Sequence, residues 1–343
     1  MSKTLLKIVW LLLAGLSFGL PGCHFFQNSD PFAPSSTCQM QDQEQMTPQQ
    51  LVRHLNDRGA SKLYAWRADN VNIASRGAMA MPMSLSATLL VEAPRNFRLT
   101  AKVFGINEVD LGSNKERFWF WTKQSERPCI LTARHEQIAI AQQRLAIPFQ
   151  PDWIIEALGV IPLDDQDVQL IRLPQQPRGR RLGQLVSQRV SAQGEPVKKV
   201  TTVDLCHGII LEHALYNSRG QLLARAGLSE HHFEPGTGAV IPNRIDLEWP
   251  QTRMALTLTL GRIQVNPQIS PQTFSMLQMP NTPVIDLGKP LPGTSRARPH
   301  HQPVSLSTDV EEDDLPDDPP PARARVGQGQ GSERMSRYQP PLE

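Results

Sequence analysis

Between residues 83 and 103 the chain alternates with period two, and this constrains its fold more than any other feature. Met83, Leu85, Ala87, Leu89 and Val91 share one parity against Ser84, Ser86, Thr88 and Leu90. After Pro94-Arg95-Asn96, Phe97, Leu99, Ala101 and Val103 do the same against Arg98, Thr100 and Lys102. Successive side chains of a strand point to opposite faces, so each run predicts a strand with one apolar face. Two such strands joined by a tight turn are antiparallel neighbours. Asp110-Leu111-Gly112-Ser113-Asn114 reads as the next turn, and Phe118-Trp119-Phe120-Trp121 as a strand aromatic on both faces. Two aromatic rows require cover on both sides, as a concave interior plus a covering element or as a sandwich core.

The same reading places strands at 167–173, 183–192, 198–204, 209–216, 221–226, 241–249 and 254–265, with Phe274 closing the domain. Two helices are expected. The first starts at Thr47 as N-cap, with Pro48 in its first position and Gln50 completing a capping box. Leu51, Val52 and Leu55 form its apolar stripe, and Gly59 ends it. The second runs from Pro151 to Leu158, carrying Trp153, Ile154 and Ile155. Helices do not alternate with strands, which disfavours a doubly wound α/β fold. About ten strands in meander order fit a closed barrel or a sheet curled round a helix-plugged cavity.

Both ends differ from this core. Lys3 and Lys7 precede an apolar run from Ile8 to Leu20, shorter than the roughly 20 residues that span a bilayer, so a secretory signal over 1–22 is favoured. Leu20-Pro21-Gly22-Cys23 resembles the bacterial lipobox, with Pro21 standing where a small residue is usual. Cys23 is thus the expected lipid anchor, carrying diacylglycerol and a third, palmitate-like acyl chain, each buried methylene being worth about 0.8 kcal/mol. His24 directly after it, where an aspartate would retain the protein, favours the outer membrane. Residues 23–45 read as a linker and 46–281 as one folded domain. Residues 282–343 hold eleven prolines, the acidic block Glu311-Glu312-Asp313-Asp314 and a Gly/Gln run, the composition of a disordered tail.

At this point the chain resembles the bacterial lipoprotein-carrier and lipoprotein-receptor superfamily (LolA/LolB-like). The resemblance rests on the first helix, the paired strands 84–92 and 96–104, the phrase Asp110–Asn114 before Phe118–Trp121, and the hairpin from Ile210-Leu211-Glu212-His213 to Leu222-Leu223. It covers about 60–281. It implies a mainly β fold: a single strongly curved antiparallel sheet, an incomplete barrel with a few covering helices. It also implies an apolar concave face that holds acyl groups. Candidate lining residues are Leu85, Leu89, Phe97, Leu99, Phe118, Phe120, Leu211, Leu256 and Leu258; Trp119 and Trp121 form the opposite row. The receptor's insertion loop, an exposed apolar tip, is not assigned, Ile106 being isolated.

Other chemistry finds little support. Removing residues 1–22 leaves 33 basic against 33 acidic residues, no basis for a nucleic-acid partner. No cofactor, metal site or catalytic residue is expected. Cys206, His207, His213 and His231-His232 lack metal-site spacing, and Ser113 lacks a nucleophile elbow. Arg178 to Arg181 and Lys198-Lys199 read as solvated loop charges with an option on anionic headgroups. Asp164-Asp165 falls in a loop. Cys129 and Cys206, each near a strand start, are candidate neighbours as a disulfide or as two thiols. The expected function is a non-enzymatic, lipid-anchored envelope protein that binds acyl chains or lipoproteins, with a part in lipoprotein sorting. The alternative is a structural or scaffold envelope lipoprotein with a closed core and an interacting tail.

Overall fold

The computed structural model describes residues 30–289 except 35, 41–43, 78–84, 145–150, 175–179 and 192–193. Cys23, the apolar run before it and the tail beyond 289 lie outside the described residues. No helix among the described residues is long and apolar enough to cross a membrane.

The strands form two antiparallel meanders. The first comprises β1 (Ala65–Arg76), β2 (Leu85–Glu92), β3 (Asn96–Val103), β4 (Ile106–Ser113), β5 (Arg117–Thr122) and β6 (Ile130–Arg134). The second comprises β7 (Gln169–Arg172), β8 (Leu182–Val190), β9 (Pro196–Asp204), β10 (Ile209–Tyr216), β11 (Leu222–Phe233), β12 (Val240–Trp249) and β13 (Met254–Thr259). They join where β13 pairs with β1. The strand expected over 254–265 is broken: β14 (Arg262–Val265) pairs farther along β1, beyond an irregularity at Asn70. Gly261 sits at the break, where a Cβ would lie 2.3 Å from the Asp69 carbonyl oxygen.

β15 (Val284–Asp286) adds to β6 in parallel, so the sheet is mixed, and its path ends at β15 and β7. This corrects the expected strongly curved antiparallel half-barrel: the sheet is open and neither closed nor strongly curled. Alternation fixes which side chains share a face, but it carries no measure of how far a sheet bends.

Among the described residues three α-helices accompany the sheet: α1 (Pro48–Arg58), α2 (Ile138–Arg144) and α3 (Pro151–Ala157). The Thr47 hydroxyl accepts from the Gln50 amide while the Gln50 side chain accepts from the Thr47 amide, the expected capping box. Leu51, Val52 and Leu55 are buried against Leu185, Val203 and Leu205. Trp153, Ile154 and Ile155 of α3 join the main core with Leu89, Leu99 and Ile245. Trp66 Nε1 donates to the Leu158 carbonyl at 3.0 Å, fastening the end of α3 to the central strand.

The segment Asp110–Asn114 is not a turn over most of its length, since Asp110 to Ser113 belong to β4. Asp110 is fully buried because two donors satisfy it: Trp119 Nε1 at 2.6 Å and Arg98 at 2.7 Å. A Cβ on Gly112 would lie 2.1 Å from the Trp119 ring, so glycine is what lets the indole lie across β4. Trp119, Trp121 and Ile130 pack on the other side against Met276, Leu277 and Met279. Both aromatic rows are thereby covered.

Packing also reaches beyond 46–281. Phe32 and Met40 are buried, and Cys38 forms a disulfide with Cys206. Cys206 thus pairs with neither a metal nor Cys129, which is free and half-buried. Leu287 is buried past β15.

Candidate functional site

The residues expected to line a cavity come together on one sheet face. Leu89 pairs with Leu99, Leu99 with Leu111, and Leu111 with Phe120 across β2 to β5. Leu85, Leu89, Phe97, Leu99, Phe118 and Leu258 are buried in one cluster, with Phe120 and Leu256 packed against it. Leu211 is the exception. The β9–β10 register shifts between Ile210 and Glu212, so Leu211 falls on a bulge and outside that cluster. The shared row is covered by Trp153, Ile154 and Ile155 of α3, so over this part of the face side chains meet side chains.

Open volume lies at the margin of α3 instead. A cleft of about 490 Å³ is bounded by α3, the 161–164 segment, the β8–β9 hairpin, Leu215 of β10 and the start of α2. Ile138, Trp153, Ile161, Val190, Val197 and Leu215 give it apolar walls. Its charged members are Lys199 with Glu156, Arg189 with Asp164 at 3.4 Å, Asp152 and His135.

The strand register explains the charged floor. On β9, Val197, Lys199, Thr201 and Val203 share one parity and one face. Lys199 stands between Ser187 of β8 and Leu215 of β10, and Thr201 between Leu185 and His213. Lys199 is 4% exposed, whereas Lys198 points outward over the Tyr216 ring. This corrects the reading of Lys198-Lys199 as one solvated pair. Burial lowers the Lys199 ammonium pKa, and Glu156, in direct ion-pair contact, opposes that shift. His213 is buried behind it with Nδ1 3.1 Å from the Thr201 hydroxyl, and burial holds its pKa well below the ordinary value. The signal was in the parity: a lysine alternating in step with Val197 and Val203 points inward.

A second polar group is a clamp. Ser36 Oγ lies 2.7 Å from His207 Nε2, and His207 Nδ1 lies 3.1 Å from Asp204 Oδ2. Asp204 and His207 are both sealed from solvent. Ser36 Oγ is also within 2.7 Å of the Ala33 carbonyl and 2.9 Å of the Pro31 carbonyl, acceptors that compete for its single proton. Gln39 and Met40 amides donate to the Cys206 carbonyl, and Arg58 donates to that of His207. Asp204, Cys206 and His207 lie close enough together for a metal, but the Cys206 sulfur is taken by Cys38. The group fastens residues 30–40 to the β9–β10 turn.

The third feature is the β3–β4 tip, missed because only Ile106 was considered. Phe104 is 98% exposed and Ile106 57% exposed, with Gly105 between them at φ 80°. The sequence signal was an aromatic beside a glycine where the alternation of β3 stops.

No protein-family model and no curated protein matches the chain. Among solved structures it is similar to a domain described as an outer-membrane lipoprotein-sorting protein from Vibrio parahaemolyticus, at 12% identity and a TM-score of 0.45, covering 68% of this chain and 97% of that one. It is similar to a LolA superfamily protein from Nitrosomonas europaea at 11% identity and a TM-score of 0.41, covering 67% and 98%.

Proposed function

We propose that the protein is a non-enzymatic cell-envelope protein, anchored through lipidated Cys23, that takes an acyl chain of a lipid or lipoprotein into the cleft beside α3. The observation supporting this reading is the cleft itself. Its volume of about 490 Å³ falls within the range of about 300–1,000 Å³ usual for small-ligand sites, and its walls combine apolar surface with a few polar groups. Burying about eight methylenes there at about 0.8 kcal/mol each supplies roughly 6 kcal/mol before ordering costs. The exposed Phe104 tip supports a second contact with the bilayer interface, where an aromatic ring is favoured.

The test uses an environment-sensitive acyl probe with the full-length chain. Ile161→Asp, at a half-buried position on the cleft wall, is expected to weaken probe binding at least tenfold while leaving the far-ultraviolet spectrum unchanged. Unchanged affinity would remove the cleft from the account. The solid packing beneath α3 favours a second reading, a structural or scaffold lipoprotein that acts through its C-terminal tail. In that case deleting 290–343 abolishes partner capture and no acyl probe binds.

A further inference from the structure

Lys199 and Glu156 are the polar groups of the cleft that its packing does not explain. The Lys199 side chain is 5% exposed and that of Glu156 20% exposed, so the lysine lies deeper and the carboxylate nearer the opening. Such a pair is a weak source of stability, because desolvating two charges offsets most of their attraction. A buried, charge-paired amine in a cleft is instead a mark of a binding site.

The two partners are unequally held. Lys199 is fixed in the middle of β9, with neighbouring strands on both sides. Glu156 is in the last turn of α3, on a flexible side chain with a path to solvent. Behind the lysine, His213 is buried and held neutral, so it adds no second cation. Arg189 is engaged with Asp164 at the rim and Asp152 with Arg95 at 3.0 Å. Trp153 contributes apolar wall to the same cleft, with its ring packed against Trp249 in the core. One fixed ammonium therefore stands beside apolar walls.

Resting on the acyl-binding reading above, we propose that Lys199 selects the ligand's head: the cleft takes an amphiphile with a free carboxylate, such as a long-chain fatty acid, whose carboxylate replaces that of Glu156 on the Lys199 ammonium. Glu156 is the internal counter-ion that turns outward when this exchange occurs. Esterified chains and alcohols have no group to make it. Because one carboxylate takes the place of another, the exchange adds no buried net charge, and the gain comes from burial of the chain.

The experiment is native mass spectrometry of the full-length chain with equimolar hexadecanoic acid and hexadecanol. The acid is expected to be bound about tenfold or more over the alcohol, the scale of one charge-assisted hydrogen bond. Lys199→Met is expected to erase that preference while the alcohol still binds. Glu156→Gln, a near-isosteric change that keeps an acceptor on Lys199, is expected to raise the acid-to-alcohol ratio severalfold. Equal binding of acid and alcohol by the parent chain, or a preference that survives Lys199→Met, overturns the carboxylate assignment alone. Binding of neither compound overturns it together with the acyl-binding reading.

Discussion

The two meanders meet their covering helices differently. Over β1 to β5 and β13 the inward row is Leu, Phe, Ala and Val, and α3 answers it with Trp153, Ile154 and Ile155, so the space between is filled. Over β8 to β10 the inward row includes Arg189, Ser187, Lys199, Thr201 and His213, and the same helix answers with Glu156 beside an open cleft. One sheet face thus carries both a solid core and an open cleft with charged lining. The two regions differ in which side chains occupy the inward parity. Apolar rows pack to crystal-like density, whereas a row containing buried charge must leave room for partners.

The sharpest way to break the comparison is to cut into each half. Phe118→Ala in the filled half is expected to cost about 3–5 kcal/mol in urea unfolding, because a fully buried ring leaves a cavity that the α3 roof cannot collapse. A cost below about 1 kcal/mol would mean that the filled half is not tightly packed.

Acid should act on the other half. Burial pushes the pKa of His231 in β11 down to about 4, and that of buried His213 in β10 is lowered too, whereas strands β1 to β6 contain no histidine. A histidine whose folded pKa lies below its unfolded value of about 6.5 contributes stability that is complete above pH 6.5 and is lost as pH falls toward 4. His231 alone accounts for up to about 3 kcal/mol of that loss. Urea midpoints measured from pH 7 to pH 4 should fall, with earlier loss of hydrogen-exchange protection in β10 and β11 than in β2 and β3. His231→Gln should flatten the slope; an unchanged slope would contradict the assignment.

The smallest expected effect has the opposite sign to the first. Replacing the Lys199–Glu156 pair by Met and Leu together should leave stability unchanged or raise it by about 1 kcal/mol, since an apolar pair avoids the desolvation cost. A loss above about 2 kcal/mol would make the pair a structural device and would weaken its reading as part of a site.

Much of the fold was legible because local rules sufficed. The capping box at Thr47 and Gln50, the α3 stripe and the β2–β3 hairpin each follow from residues within a few positions of one another. Features that depend on distant partners were not legible. Asp110 reads as a turn residue until Arg98 and Trp119 are seen to satisfy it inside β4. Leu211 keeps its parity in sequence but loses it to a bulge in the β9–β10 pairing. Cys38 looks like part of a linker until Cys206, 168 residues away, captures it. Apart from Leu211, the residues of the expected apolar row share one buried cluster, yet sequence alternation could not reveal that α3 fills the space over it. The charged cleft was hidden by reading Lys198 and Lys199 as a pair when they point to opposite sides of the strand.

The central claim is that an acyl chain enters at the α3 margin and not over the filled row. Photo-crosslinking the full-length chain with a diazirine-bearing fatty acyl probe, followed by peptide mapping, tests it directly. Labels are expected within residues 151–163 and 187–199. Labels on residues 85–120, or none above the background of a heat-unfolded sample, would contradict the account.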